Sequence, residues 1–197
     1  MDTDRAKWNQ RFSSEDSYLG DRPSPFLVQE IERVKRLAPG STALDIACGE
    51  GRNSIYLALQ GFRVTAMDIS DVGIAKGKKR AEEAGVIVDF RQVDLDVYKI
   101  TDNFDLIINF NFLLRPLIIE EVKSLNAGGL LLFDTILESP QLLASHNPTY
   151  LLRHGELRRI FEGFDGEILH AEEIMQGEMP TARLLFRKTS LDSQRAS

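Results

Sequence analysis

Leu44-Asp45-Ile46-Ala47-Cys48-Gly49-Glu50-Gly51-Arg52-Asn53 is the stretch on which the fold turns. Thr42 to Ala47 is an apolar run that reads as a buried strand. It passes through a tight turn of small residues into a helical segment, Arg52 to Gln60, which Gly61 stops. The glycines at 49 and 51 permit positive φ and let a ligand approach the backbone closely. In doubly wound sheets ligands sit at such turns, at the carboxyl ends of the strands. Alone the turn is ambiguous. Gly49-Glu50-Gly51-Arg52-Asn53-Ser54 is also a degenerate dinucleotide fingerprint, with Ser in the third glycine place.

Working outward, the same strand-then-helix rhythm recurs. Strands are predicted over 62–67, 86–93, 104–110 and 129–136. Helices are predicted over 71–84 and 113–125. This alternation implies a parallel sheet with helices on both faces. Ahead of it, Ser24 can cap a helix that has Pro25 at its first position and ends at Pro39-Gly40. The last quarter breaks the rhythm. A helix over 155–161 is followed by strands over 166–174 and 182–188, a hairpin that would join the sheet antiparallel at one edge. The predicted organisation is an N-terminal arm or lid over 1–22, one α/β domain over 23–189 and a polar, disordered tail over 190–197.

The composition excludes several classes. A chain of 197 residues carries one domain with a modest appendage. Charged residues make up 27% and the formal net charge is −6, with no basic tail, so no nucleic-acid partner is expected. The single cysteine, Cys48, allows no intrachain disulfide and fits a cytoplasmic, reducing compartment. Met1 to Arg11 is charged and has no apolar core, so a secretory signal is not expected. No apolar stretch approaches the ~20 residues of a membrane span.

Three acids at strand ends carry the chemistry. Asp68 closes the second strand and can accept both hydroxyls of a ribose, in NAD or in S-adenosylmethionine (SAM). Asp45 separates the two ligands. A carboxylate there would repel a pyrophosphate, but it favours a cationic amino group and a sulfonium. Asp94, followed by Leu95, can accept from an adenine amino group while the next N–H donates to the ring. Each has a plainer reading: Asp68 as an ordinary loop-starting residue, Asp45 as a cap of turn amides, and Asp94 or the nearby Asp96 as a capped, solvated loop acid.

With these residues in view, the chain resembles the class I SAM-dependent methyltransferases. The resemblance rests on Asp45…Gly49-x-Gly51, Asp68, Asp94-Leu95 and Phe104-Asp105-Leu106-Ile107-Ile108-Asn109. It covers about residues 25–190. Ala47 to Ser54, with Trp8-Asn9-x-Arg11-Phe12 ahead of it, is similar to the tellurite-resistance-like branch. So are Asn147-Pro148-x-Tyr150-Leu151-Leu152 and Gly155-Glu156-Leu157. The resemblance implies a Rossmann-like, seven-stranded, mostly parallel sheet with an antiparallel edge hairpin. It implies S-adenosyl-L-methionine as cofactor, held by Asp45, Ala47, Gly49, Gly51, Asp68, Ile69, Asp94, Leu95 and Asn109, and a small-molecule acceptor. Asn126-Ala127-Gly128-Gly129 replaces the usual Pro-Gly-Gly. Asn109-Phe110-Asn111-Phe112 lacks the signature of amino-directed DNA methyltransferases.

Trp8, Tyr18, Arg52 and Arg115 are the acceptor-side candidates. Arg52 opposes the dipole of the helix that it begins. It should pair with Asp45 or Glu50, or face an anionic acceptor or the methionine carboxylate of SAM. Trp8 and Tyr18 would exclude water above the sulfonium, or simply staple the arm. His146, His154 and His170 show no metal-ligand spacing, and Asn109 stands where metal-dependent relatives need an acid, so no metal is expected. No general base is identifiable. A dinucleotide-dependent oxidoreductase and a non-catalytic SAM-fold binding domain stay open as alternatives.

Overall fold

The computed structural model describes residues 2–14, 16–176 and 179–189. Its seven strands are β1 (Thr42–Ile46), β2 (Arg63–Asp68), β3 (Val88–Gln92), β4 (Phe104–Phe110), β5 (Leu125–Ile136), β6 (Gly166–Ile174) and β7 (Thr181–Lys188). They follow the order β3-β2-β1-β4-β5-β7-β6. β1–β2, β2–β3 and β4–β5 pair in parallel, whereas β7 runs antiparallel to both β5 and β6. This is the Rossmann-like sheet with a reversed edge pair. The helices are α1 (Asp2–Phe12), α2 (Pro25–Leu37), α3 (Arg52–Leu59), α4 (Asp71–Glu83), α5 (Arg115–Lys123), α6 (Pro140–Ser145) and α7 (Glu156–Glu162). The backbone forms two compact units among the described residues, 2–31 with 41–99 and 32–40 with 100–189.

In the first unit, parallel pairing sets Asp45 beside Ala66 and Asp68 beside Gln92, so the carboxyl ends of β1, β2 and β3 stand in a row. The row continues past the strands. The Cys48 N–H donates to the Met67 carbonyl (2.9 Å) and the Val93 N–H to the Asp68 carbonyl (2.9 Å). Ala66, Ile74, Ala81 and Phe90 form a buried cluster beneath α4. Gly51 and Gly77 are required there. A Cβ on either would stand 2.7 Å from the Phe90 ring, and Gly51 also sits at φ 77°, left-handed backbone that L side chains avoid.

In the second unit β4 is buried along its whole length, its two polar residues Asp105 and Asn109 included. Phe161 packs its ring 5.3 Å from that of Phe186 and 6.3 Å from that of Phe133, fastening α7 to the sheet. β6 is an edge strand with an irregularity between Ile168 and His170. The carbonyl of the intervening Leu169 accepts from Arg33 Nη2 on α2 (3.1 Å).

The structure corrects several boundaries. The arm contains α1, which has no apolar stripe to betray it, because Trp8 and Phe12 are its only large apolar residues. β5 begins at Leu125 rather than 129, so the preceding helix stops at Lys123 instead of 125. α6 and a 3-10 turn over Pro148–Tyr150 fill a segment that has no periodic signal. The disordered tail expected over 190–197 lies outside the described residues.

Candidate functional site

Asp45 lies next to the end of β1 with 2% of its surface exposed. Ser54 Oγ on α3 donates to it at 2.5 Å. Burial pushes its carboxyl up to about 7 against the pull of that hydroxyl, and the charge of Asp68 adds to the rise. Asp68, the last residue of β2, is also buried. Its Oδ2 accepts from the Gly49 N–H (2.8 Å) and its Oδ1 from the Ser70 N–H (2.8 Å). Burial raises its pKa despite those two donors. Neither acid meets a Lys or Arg at ion-pair distance among the described residues. Two carboxylate oxygens offer about four lone-pair sites, so Asp68 keeps room for a further donor.

The turn between β1 and α3 is shaped for close approach. Ala47 has φ 54°, Gly49 φ 56° and Gly51 φ 77°. A left-handed non-glycine residue stores strain, and Ala47 does so directly after the strand. Cys48 lines this turn half-buried, its thiol pushed up by burial and by Asp45, which leaves it unreactive. Ile69 is half-buried, and its carbonyl accepts from Gln92 Nε2 (3.3 Å). Beyond β3, Asp94 Oδ1 accepts from the Asp96 N–H (3.0 Å) and Leu95 is buried. Asp94 is thus partly engaged in its own turn.

The arm folds over this turn. Phe12 would touch a Cβ on Gly49 at 3.1 Å and one on Gly73 at 3.0 Å. Asn9 Oδ1 accepts from Ser70 Oγ (2.6 Å), and its Nδ2 donates to Asp71 (2.8 Å). Ser70 also caps α4 by accepting from the Gly73 N–H (3.0 Å). Glu50, between the two glycines, accepts from Ser17 Oγ (2.6 Å), the Tyr18 N–H (2.9 Å) and Lys76 Nζ (2.9 Å). Burial pulls this carboxyl up, but the bonds from Ser17 and Lys76 outweigh it and hold it below its usual range. Trp8 stacks on Phe12 (5.6 Å), and Tyr18 meets both rings edge-on at 6.1 and 6.0 Å.

The arginines take parts that the sequence does not show. Arg52 Nη1 donates to the carbonyls of Leu19 (2.9 Å) and Arg22 (3.2 Å), tying down the end of the arm. In the second unit Arg115 holds Glu156 with Nε (2.6 Å) and Nη2 (2.9 Å). It also donates to the carbonyls of Thr149 (2.7 Å) and Leu151 (2.8 Å). Asn109 on β4 lies in this unit too. Its Nδ2 donates to the fully buried Glu121 of α5 at 2.7 Å, and burial pushes Glu121 up to about 7. The sequence reading offered Glu50 only as a partner for Arg52 and Asn9 only as part of a motif, and it missed Glu121. A buried acid on an amphipathic helix was the only available signal for the last.

The family model for tellurite resistance protein TehB matches residues 23–181. The chain belongs to the TehB family. A TehB relative from Haemophilus influenzae, described as a probable S-adenosyl-L-methionine-dependent methyltransferase, is 30% identical over 156 residues, covering 76% of this chain and 53% of the relative. The chain spans about half the length of the curated TehB relatives that it matches. The crystal structure of TehB from Haemophilus influenzae superposes with a TM-score of 0.70 at 24% identity, over 82% of this chain and 62% of that one. The N-methyltransferase NodS from Bradyrhizobium japonicum, in complex with S-adenosyl-L-homocysteine (SAH), gives a TM-score of 0.69 at 20% identity, over 93% and 97%. These two likenesses establish the fold.

Proposed function

We propose that this TehB-family chain binds SAM in its first unit and transfers the methyl group to a small-molecule acceptor. The observation that carries this reading is the pair Asp45 and Asp68, each buried near the carboxyl end of its strand, β1 or β2, with no Lys or Arg at ion-pair distance from either among the described residues. Two desolvated acids with spare lone pairs suit a ligand that brings hydroxyls and positive charge. They oppose the pyrophosphate of a dinucleotide, and this disfavours the oxidoreductase alternative. The naming of a TehB relative as a probable SAM-dependent methyltransferase supports the same choice.

In this reading Asp68 takes the ribose hydroxyls and Asp45 the ammonium side. Ala47, Gly49 and Gly51 let the ligand lie against bare backbone. Ile69, Asp94 and Leu95 border the adenine. The proposal rests on these first-unit residues alone. SAM supplies a methyl on a sulfonium, which leaves by in-line displacement when the acceptor is held ~3–3.5 Å away and aligned. The work of the chain is to bind, orient and exclude water. Residues 1–22 act as the lid, with Trp8 and Tyr18 as its apolar underside, and 23–189 as the transferase body. Arg52 holds the lid and Arg115 the segment after β5, so neither is assigned to the acceptor. Among the described residues no helix is long and apolar enough to cross a membrane, and we place the protein in the cytoplasm.

Calorimetry with SAH and, separately, with NADH tests the reading. SAH alone should bind, and Asp68→Ala should weaken it ~30- to 150-fold, the loss of ~2–3 kcal/mol of charge-assisted bonding. Binding of NADH alone would overturn it.

A further inference from the structure

The core of the second unit holds a polar pair that methyl transfer does not use. Asn109 of β4 and Glu121 of α5 are 1% and 0% exposed. Asn109 lies in register with Phe133, whose ring packs on Phe161 of α7, so it looks toward the helices on that face of the sheet. Its Nδ2 donates to Glu121 Oε1 at 2.7 Å. The other two oxygens, Asn109 Oδ1 and Glu121 Oε2, are buried and meet no donor among the described residues. An ionised carboxylate and an amide oxygen are both acceptors, so neither can satisfy the other, and leaving two acceptors bare in the core is costly. One proton removes both deficits. A neutral carboxyl and an amide each present a planar fork of one donor and one acceptor, and here one leg of the fork is already in place.

The charges around the pair are engaged elsewhere. On α5, Glu120 pairs with Lys123 at 3.3 Å, and Arg115 pairs with Glu156 of α7 at 2.6 Å. The remaining charges of α7, Arg158, Arg159 and Glu162, are exposed. Asp105, near the start of β4, accepts from Asn126 at 2.8 Å. Asp134 of β5 points to the opposite face from Phe133 and meets Arg183 at 3.1 Å. Lys188 of β7 donates to the carbonyls of Lys123 and Leu125. Burial pushes the Glu121 carboxyl up to about 7, and only the Asn109 bond opposes that rise.

We propose that Glu121 stands neutral in the folded chain and donates Oε2–H to Asn109 Oδ1, closing a two-bond acid–amide ring that fastens α5 to β4 and opens when the proton leaves. The second unit thereby carries a pH-sensitive clasp, and Asn109 serves the core rather than a ligand. The clasp is whole below the usual carboxylate range and is lost as pH rises through 7.

The test compares thermal melts of the full chain at pH 5 and pH 8. Glu121→Gln keeps the fork of a neutral acid, with N–H in place of O–H, and cannot ionise. It should melt within about 3 °C of wild type at pH 5 and roughly 5–10 °C above it at pH 8. Asp45 is common to both proteins, so its own titration cancels from the difference. Glu121→Met fills the space without a fork, leaves Asn109 bare and should melt below Glu121→Gln at both values. If Glu121 is ionised, with or without a water bridging it to Asn109, Glu121→Gln gains nothing at pH 8. A difference from wild type that stays flat between the two pH values therefore overturns the proposal. Infrared spectra at pH 6 give a second readout. Wild type should show the C=O stretch of a neutral carboxyl that Glu121→Gln lacks, and Asn109→Leu should move that band to higher frequency, because the C=O loses its donor. Should Glu121→Gln fail to fold, the Asn109→Leu spectrum decides: the absence of any neutral-carboxyl band, or bands that do not move, would also overturn the clasp.

Discussion

The strand-end acids of the first unit and the acids of the second are handled in opposite ways. Asp45 and Asp68 are buried with a hydroxyl and two backbone N–H groups for company. Glu156 has Arg115 at 2.6 Å, and Asp134 has Arg183 at 3.1 Å. A buried carboxylate without a cation is costly, and a protein keeps one where a ligand completes it. The second unit uses charge to hold itself together. The first does so at Glu50–Lys76 and Asp21–Arg80 but leaves its two strand-end acids without an ion pair. Glu121 departs from this pattern, a buried acid of the second unit that meets the amide of Asn109.

The comparison can be broken at either end. The largest effect belongs to Asp68→Ala, the ~30- to 150-fold loss of SAH affinity given above. A loss under about 3-fold would mean that Asp68 serves only its own loop. Next is Glu156→Gln, which should leave SAH affinity unchanged and lower stability by about 1–2 kcal/mol, discounted for the solvent that reaches Arg115. In a thermal melt that is a fall of roughly 2–8 °C. A shift in SAH binding without a shift in melting would reverse the assignment.

The pH dependence is the third test. Asp45 and Glu121 both rise to about 7 in the fold. For an acid raised on folding, the stability is full below its unfolded value near pH 4 and is lost as pH climbs through 7. The ligand-free protein should therefore melt lower at pH 8 than at pH 5, and Asp45→Asn should flatten that slope. Glu156, lowered chiefly by Arg115, works the other way and contributes above the usual carboxylate range, fading in acid. If Asp45 faces the ammonium of SAH, binding near pH 6 should expel a proton, visible as a dependence of binding heat on buffer. The smallest effect is at Glu50→Gln. It should cost under about 1 kcal/mol of stability yet speed tryptic cleavage of the arm, and an unchanged cleavage rate would deny Glu50 the role of latch.

The floor of the site was legible because its signals are local. A strand end, a glycine pair and an acid at each terminus can be read within ten residues. The lid was not. α1 has no apolar periodicity to mark it as a helix, since Trp8 and Phe12 are its only large apolar residues. Arg52 was read as pairing with Asp45 or Glu50 or as facing an anionic ligand; its Nη1 donates to the carbonyls of Leu19 and Arg22, which no side-chain pattern encodes, and its charge acts on Asp45. Arg115 likewise finds Glu156 across 41 residues. The early start of β5 was hidden by Asn126, whose polarity reads as a turn, although it lies within the strand.

The Phe90 ring fills the space left by the missing side chains of Gly51 and Gly77. These three positions therefore cannot drift separately among related sequences. Alanine at 77 meets a ring at 2.7 Å while Phe90 stands, but a smaller residue at 90 would open the room first. One order of substitution passes through a cavity and the other through a collision, and these differ in cost and in reversibility. Lineages of this family that change the pair should show the change at 90 as the older one.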